Sequence, residues 1–109
     1  MQWTILYFSK QVEQVILQLP AGLLARYLRL TDLMQTFGPN LGMPHTRSLG
    51  DGLFELRVRA KEGIGRVFYC TEIGRKIVML HCFIKKTQKI PVKELRIARQ
   101  RMRRVKHDP

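Results

Sequence analysis

Residues 49–89 read LGDGLFELRVRAKEGIGRVFYCTEIGRKIVMLHCFIKKTQK. Two turn cues, Gly63-Ile64-Gly65 and Gly74-Arg75, divide this stretch into three runs of β-branched, aromatic and leucyl residues, which predicts three successive antiparallel strands. In the first, Phe54, Leu56 and Val58 alternate with Glu55, Arg57 and Arg59, so a period of two gives one apolar face and one charged outer row. In the second, Val67 and Tyr69 share one face, and Arg66, Phe68 and Cys70 the other. In the third, Val78, Leu80, Cys82 and Ile84 lie on the face opposite Met79, His81, Phe83 and Lys85. Isolated charges in apolar strands mark a sheet with one wet face. Here nearly all of those charges are positive.

The second hairpin can be tested for register. A two-residue turn at Gly74-Arg75, with glycine in the first central position of a type II′ turn, sets Arg66 opposite Phe83. Slipping the turn to Ile73-Gly74 sets Arg66 opposite His81. Either way Arg66 shares a face with His81 and Phe83. Both registers pair Cys70 with Met79 or Ile77 and leave Cys82 farther along, on the other face. Two free thiols follow, since a disulfide requires Cα atoms within about 7 Å.

Upstream, residues 3–8 suit a strand and Ser9 suits an N-cap. Val12, Val15, Ile16 and Leu19 then form the stripe of a helix over residues 10–19. Pro20-Ala21-Gly22 breaks it. A second helix over residues 23–37 carries Leu23, Tyr27, Leu30, Met34 and Phe37 on one face and ends at Gly38-Pro39. The two helices are expected as an antiparallel hairpin on one sheet face. Residues 40–52, rich in Gly and Pro, read as a loop, either a flap or a plain connector. His45 lies in it, and a loop histidine of this kind is ordinarily solvated.

Downstream, Pro91 suits the first turn of a third helix. Its narrow apolar stripe is Leu95, Ala98, Met102 and Val105. Lys93, Arg96, Arg99, Arg101, Arg103, Arg104 and Lys106 cover the rest, with Glu94 as the only acid, a charge run that suits either solvent or phosphates. The predicted architecture is α+β over a single domain of residues 1–109. It is a small antiparallel sheet with a mixed edge, an N-terminal helical hairpin on one face and a basic C-terminal helix. The expected core holds Leu23, Tyr27, Leu30, Met34, Phe54, Leu56, Val58, Val67, Leu80 and Ile84.

With 109 residues and 45% hydrophobic content, the chain can bury one modest core. Its formal net charge of +12 and isoelectric point near 10.6 favour a polyanionic partner, nucleic acid first and anionic lipid or an acidic protein second. The start, MQWTILYFSK, lacks the basic region and cleavage pattern of a signal peptide. No apolar run approaches the ~20 residues of a membrane span. Two cysteines without Cys-X-X-Cys spacing fit a reduced cytosol and argue against a zinc or redox site. No nucleotide-binding glycine motif, metal-spaced carboxylate pair or Ser-His-Asp arrangement occurs, and no metal or other cofactor is implied.

The charged face collects Glu55, Arg57, Arg59, Arg66, His81, Phe83 and Lys85, with Lys86, Gln88 and Lys89 at its rim. Cations, one acid and an aromatic on one surface suit a phosphodiester. Arginine can clamp the non-bridging oxygens and stabilise a phosphorane-like transition state, and Phe83 offers a platform for an unstacked base. RNA cleavage can proceed without a metal, because the neighbouring 2′-hydroxyl supplies the nucleophile. A base takes its proton and an acid protonates the leaving 5′-oxygen. Arg66, Lys85, Glu55 and His81 are the candidate catalytic residues, with Glu55 as a base and His81 or Lys85 as an acid. The candidate RNA contacts are Arg57, Arg59, Phe83, Lys86, Gln88 and Lys89, together with Arg99, Arg103 and Arg104 on the third helix. Each has a plainer reading beside it: Glu55 as an ion-pair partner for Arg57 or Arg66, His81 as a structural histidine, Phe83 as packing.

The segments GDGLFELR, RVFY and FIKKTQK, preceded by FGPNLGMPHTRSLGDG and followed by a basic helix, resemble the HigB-type, phage-derived branch of the RelE/ParE toxin superfamily. The resemblance covers essentially the whole chain. It implies a compact RelE-like, microbial ribonuclease-type fold in the cytoplasm. It further implies the toxin of a type II toxin–antitoxin pair, with a helix-turn-helix antitoxin as partner and mRNA on the translating ribosome as target. By motif, the arginine of RVFY is Arg66, the lysines of FIKKTQK are Lys85 and Lys86, and the charged positions of LFELR are Glu55 and Arg57. Ile90 departs from the threonine that branch members often carry before the proline. The superfamily also contains gyrase poisons, which is the main alternative; a nucleic-acid-binding module without activity is the third.

Overall fold

A computed structural model of the chain describes residues 2–85 and 89–107. In chain order the elements are β1 (Thr4–Tyr7), α1 (Lys10–Leu17), α2 (Ala21–Phe37), β2 (Thr46–Gly50), β3 (Leu53–Ala60), β4 (Gly63–Glu72), β5 (Lys76–Ile84) and α3 (Val92–His107). The sheet runs β1-β5-β4-β3-β2. β1 pairs with β5 in parallel and every other pairing is antiparallel, so the mixed edge lies at β1. Among the described residues no helix is long and apolar enough to cross a membrane.

The N-terminal helices form where the sequence places them. Ser9 is extended and its hydroxyl accepts the Val12 amide at 3.2 Å, a side-chain N-cap. α2 starts after Pro20 without a side-chain cap of its own. Instead Glu62, from the β3–β4 turn, accepts the Gly22 amide at 2.7 Å, which sets a carboxylate against the positive end of the helix. α1 and α2 deliver Val12, Ile16, Leu19, Leu23, Tyr27, Leu30 and Met34 to one cluster with Leu56, Val58, Val67, Tyr69, Ile77, Met79 and Cys82. The apolar stripe of α2 ends at Met34, because Phe37 on the last turn is exposed.

The reverse face is not the wet face that the charge pattern suggests. α3 lies across β4 and β5 with Ala98 and Met102 buried, and Leu95 and Val105 beside them. They cover a second cluster of Leu53, Phe68, Cys70, Val78 and Leu80. The expected α3 stripe is therefore present, and its counterpart is half of the sheet's second face.

Two further differences have local causes. Residues 40–52 are not a plain loop: Thr46–Gly50 pair with β3, extending the sheet by one strand. A left-handed run at Gly50, Asp51 and Gly52 makes that hairpin turn. The Thr46 hydroxyl pins the preceding loop by accepting the Gly42 amide at 2.8 Å. In the β4–β5 hairpin, Glu72 pairs with Lys76 across a three-residue turn, and neither two-residue turn occurs. Farther along, Tyr69 pairs with Met79 but Phe68 with His81, so Leu80 is an extra residue in β5. This one-residue bulge restores the register that sets Arg66 opposite Phe83.

The bulge also divides the expected apolar face of β5. Val78 and Leu80 pack under α3, whereas Cys82 packs under α1 and α2, and Ile84 is 40% exposed rather than core. Cys70 and Cys82 are buried free thiols in different clusters on opposite faces. Burial pushes the Cys70 thiol up to about 11 and the Cys82 thiol up to about 12. Leu56→Ala should cost about 2–5 kcal/mol in chemical denaturation, since Leu56 has no exposed surface. Ile84→Ala should cost less than about 1 kcal/mol, as expected of a partly exposed position.

Candidate nucleic-acid interface

Three strands bring the candidate residues together. Antiparallel pairing sets Arg57 opposite Arg66 and Arg66 opposite Phe83, so the three share one row and one face. In the next row, Glu55 is opposite Phe68 and Phe68 is opposite His81. Two residues apart on a strand means the same face, so Arg66, His81 and Phe83 are together as expected. Arg59, opposite Ile64, continues the face and is exposed. Lys85 is held at the end of β5 by its amide, which donates to the Ile64 carbonyl at 2.7 Å. Its pKa is lowered by partial burial and by the Arg66, Arg57 and Arg59 charges around it, with Glu55 opposing. That set of neighbours places Lys85 within the arginine cluster.

Glu55 is not on a charged outer row. It has no exposed surface, and each carboxylate oxygen is taken. Arg47 Nε donates to Oε1 at 2.8 Å and Arg66 Nη1 donates to Oε2 at 2.8 Å. The ion-pair reading thus holds for Arg66, and the second partner is Arg47 instead of Arg57. Arg47, on the edge strand β2, was missed because residues 40–52 read as a loop. The Gly-Asp-Gly turn between SL and LFEL was the available hairpin signal. Arg66 is itself only 3% exposed. The Nε atoms of Arg66 and Arg57 are buried without a hydrogen-bond partner among the described residues.

His81 is engaged from the α3 side. Its Nε2 lies 3.2 Å from Glu94 Oε2 and its Nδ1 lies 3.5 Å from Arg101 Nη1. Arginine can only donate, so Nδ1 accepts and Nε2–H donates to Glu94, which is the arrangement of a neutral imidazole. Burial lowers the His81 pKa and the Arg101 charge adds to this, against the pull of Glu94. The His81 ring stacks at 6.4 Å from Phe68 and 6.0 Å from Phe83, and the two phenyl rings are 5.5 Å apart. Phe83 is the member of this aromatic row nearest the arginines, directly across from Arg66.

The helical cations are spent unevenly. Arg99 Nη2 donates to the Leu49 carbonyl at 3.1 Å, and its Nη1 is 4.0 Å from Asp51. Arg101 Nη1 donates to the Leu80 carbonyl at 2.7 Å, and the Arg101 and Arg104 guanidiniums each lie 5.4 Å from the Phe8 ring. Arg103 and Lys89 are exposed. Lys86 and Gln88 lie outside the described residues. Among the described residues no group of three or more histidines, cysteines or carboxylates could hold a metal ion.

A mixed sheet with two helices on one face, one on the other, and an arginine-lysine cluster at the β3–β4–β5 end defines a small α+β protein. The model of the phage derived protein Gp49-like family (DUF891) matches residues 6–103, and the chain belongs to that family. It is also similar to a chain in the crystal structure of the archaeal RelE–RelB complex from Pyrococcus horikoshii OT3. The identity is 22% and the TM-score 0.57, over 77% of this chain and 96% of that chain. At that identity the likeness is one of fold, and the fold is RelE-like. Among curated proteins, none matches the chain.

Two outcomes follow from the buried polar groups. Arg66→Ala strips a buried carboxylate of its most enclosed partner, so it should cost about 3–5 kcal/mol in urea unfolding. The Glu55→Ala/Arg66→Ala double variant should cost less than the two single losses added together. His81 has a folded pKa below its ordinary 6.5, so the unfolded chain binds the proton more readily. Stability should therefore fall as the pH drops below about 6.5 and level off once the folded pKa is passed. In thermal melts between about pH 7.5 and 5, His81→Asn should flatten that dependence. An unchanged slope would assign the effect to other groups.

Proposed function

We propose that the chain is the toxin of a toxin–antitoxin pair of the HigB type, that it acts in the cytoplasm, and that it is a metal-independent endoribonuclease cutting mRNA on the translating ribosome. The observation that carries this reading is the pair of opposed arginines, Arg57 and Arg66, each with a buried Nε that lacks a partner among the described residues, beside Lys85. A phosphodiester supplies acceptors for such donors. The RelE-like fold and the resemblance of RVFY and FIKKTQK to the HigB-type branch support the same reading, as does the RelE–RelB pairing in the archaeal structure for an antitoxin partner.

In this mechanism Arg66, held from behind by Glu55, stabilises the charge that develops on the scissile phosphate. Arg57 and Arg59 neutralise adjacent phosphates, and Phe83 supports a splayed base. Lys85 is the proton donor to the leaving 5′-oxygen, because its lowered pKa makes the ammonium a better acid. Glu55 is a positioning residue here, since both its oxygens are held by arginines, so the 2′-hydroxyl proton passes to solvent water as the oxygen attacks phosphorus, and His81 supports the Phe83 ring. Arg103 and Lys89 extend the cationic surface towards the ribosome.

The test is reconstituted translation with a defined mRNA. Wild type should cut the message, and Lys85→Ala and Arg57→Ala should each lower the cleavage rate by about 10²-fold, within the usual range for lost transition-state stabilisers. Both residues are partly exposed, so both variants should keep the fold, unlike Arg66→Ala. An uncut message together with stabilised gyrase–DNA cleavage complexes would replace this reading with a gyrase poison.

A further inference from the structure

The flank of α3 beside the end of β2, where Arg99 reaches the Leu49 carbonyl, carries a shallow groove of ≈ 250 Å³ lined by Val92, Leu95, Arg96, Arg99 and Arg103. These positions recur at helical spacing on one face of a single helix. Val92 is 71% exposed, an unusual setting for a β-branched aliphatic side chain. Three arginines follow it along the groove. The only acid on this helix, Glu94, is turned away to His81. One carboxylate does reach the groove's margin: the 92%-exposed Asp51 side chain, 4.0 Å from Arg99. Asp51 shows that an acid approaching from outside meets Arg99 without any change in α3.

We propose that this face is a docking groove for an acidic, leucine- or isoleucine-bearing segment of a protein partner. Apolar side chains would cover Val92 and Leu95, and flanking carboxylates would meet Arg96, Arg99 and Arg103. Charge alone would equally suit RNA, but the lining decides against it. Single-stranded nucleic acid binds where bases can stack on aromatic rings. None of the groove residues is aromatic, whereas the arginine cluster on the sheet has Phe83 beside it. An amphipathic acidic segment uses both the apolar floor and the cationic rim, the usual division in a helix-in-groove contact. The inference stands on the groove and not on the nuclease reading, so peptide binding and mRNA cleavage can succeed or fail separately.

The probe is a synthetic helical peptide with leucines along one face and glutamates on the other, fluorescently labelled and titrated with the full chain. Saturable binding is expected. Val92→Ser and Arg96→Ala should each weaken it about tenfold, the effect expected of central contacts in a small interface. These exposed positions should leave the circular dichroism spectrum and the cleavage rate of mRNA unchanged. Equal binding by a peptide with serines in place of the leucines would overturn the proposal, because attraction would then be charge alone. So would loss of binding in Arg57→Ala, which would move the contact to the sheet, or displacement of the peptide by oligouridylate, which would make the groove a nucleic-acid surface.

Discussion

Glu55 is the buried charge around which the rest of this structure is arranged. It is fully enclosed between Arg47 and Arg66, and a carboxylate in that position is tolerated only with partners on both oxygens. The arrangement fixes more than one ion pair. Arg47 comes from the edge strand β2 and Arg66 from the central strand β4, so the pair of bonds ties the edge to the middle of the sheet across β3. It also sets one negative charge beneath a crowd of cations. Partial burial and the charges of Arg66, Arg57 and Arg59 lower the Lys85 pKa, and Glu55 is the group that opposes them.

The net charge of +12 overstates how much positive surface is available to a polyanion. α3 holds itself to the sheet with its own basic residues. Arg99 caps a carbonyl on β2, Arg101 one on β5, and Lys106 one on β4. Carbonyls are acceptors that water would otherwise take, and a guanidinium in a fixed fork serves them with little loss of freedom. The guanidiniums of Arg101 and Arg104 lie over the Phe8 ring, a cation–π contact that holds them to the body of the fold. Lys106, Arg101 and Arg99 therefore serve the fold first, and the cations turned outward are those of the sheet cluster and the far side of α3.

What the sequence made legible follows from which signals are local. Hydrophobic spacing located α1, α2 and the buried stripe of α3, because 3.6-residue periodicity is set within each helix. Hairpin geometry placed Arg66 with His81 and Phe83, and set the cysteines apart. The bulge at Leu80 left no trace in VMLHC, since any of these residues fits a strand, and one extra residue flips every face beyond it. Hence Val78 and Leu80 moved under α3, while Ile84 is exposed because it ends the strand. The enclosure of Glu55 was equally hidden. Alternation put it on the same face as Arg66, but whether that face is wet depends on α3 and β2, elements distant in sequence. Much the same holds for His81, whose partner Glu94 lies thirteen residues on, in another element.

The Nε atoms of Arg57 and Arg66, without a partner among the described residues, bear on the difference between a fold and a site. A buried donor without an acceptor costs about 1–3 kcal/mol, and two such donors facing each other across adjacent strands also repel through their charges. A sheet optimised for stability alone would replace one arginine with an aliphatic residue. Under the proposed reading the deficit is lifted on binding: phosphate oxygens fill the bare donors and spread the charge of the cluster at the same moment. Affinity gained in this way is greatest for the species with the most negative charge, which in phosphoryl transfer is the transition state and not the substrate. Within the proposed mechanism Glu55 sharpens that preference by occupying Arg66 Nη1 from the far side, so that the guanidinium enters the reaction already oriented.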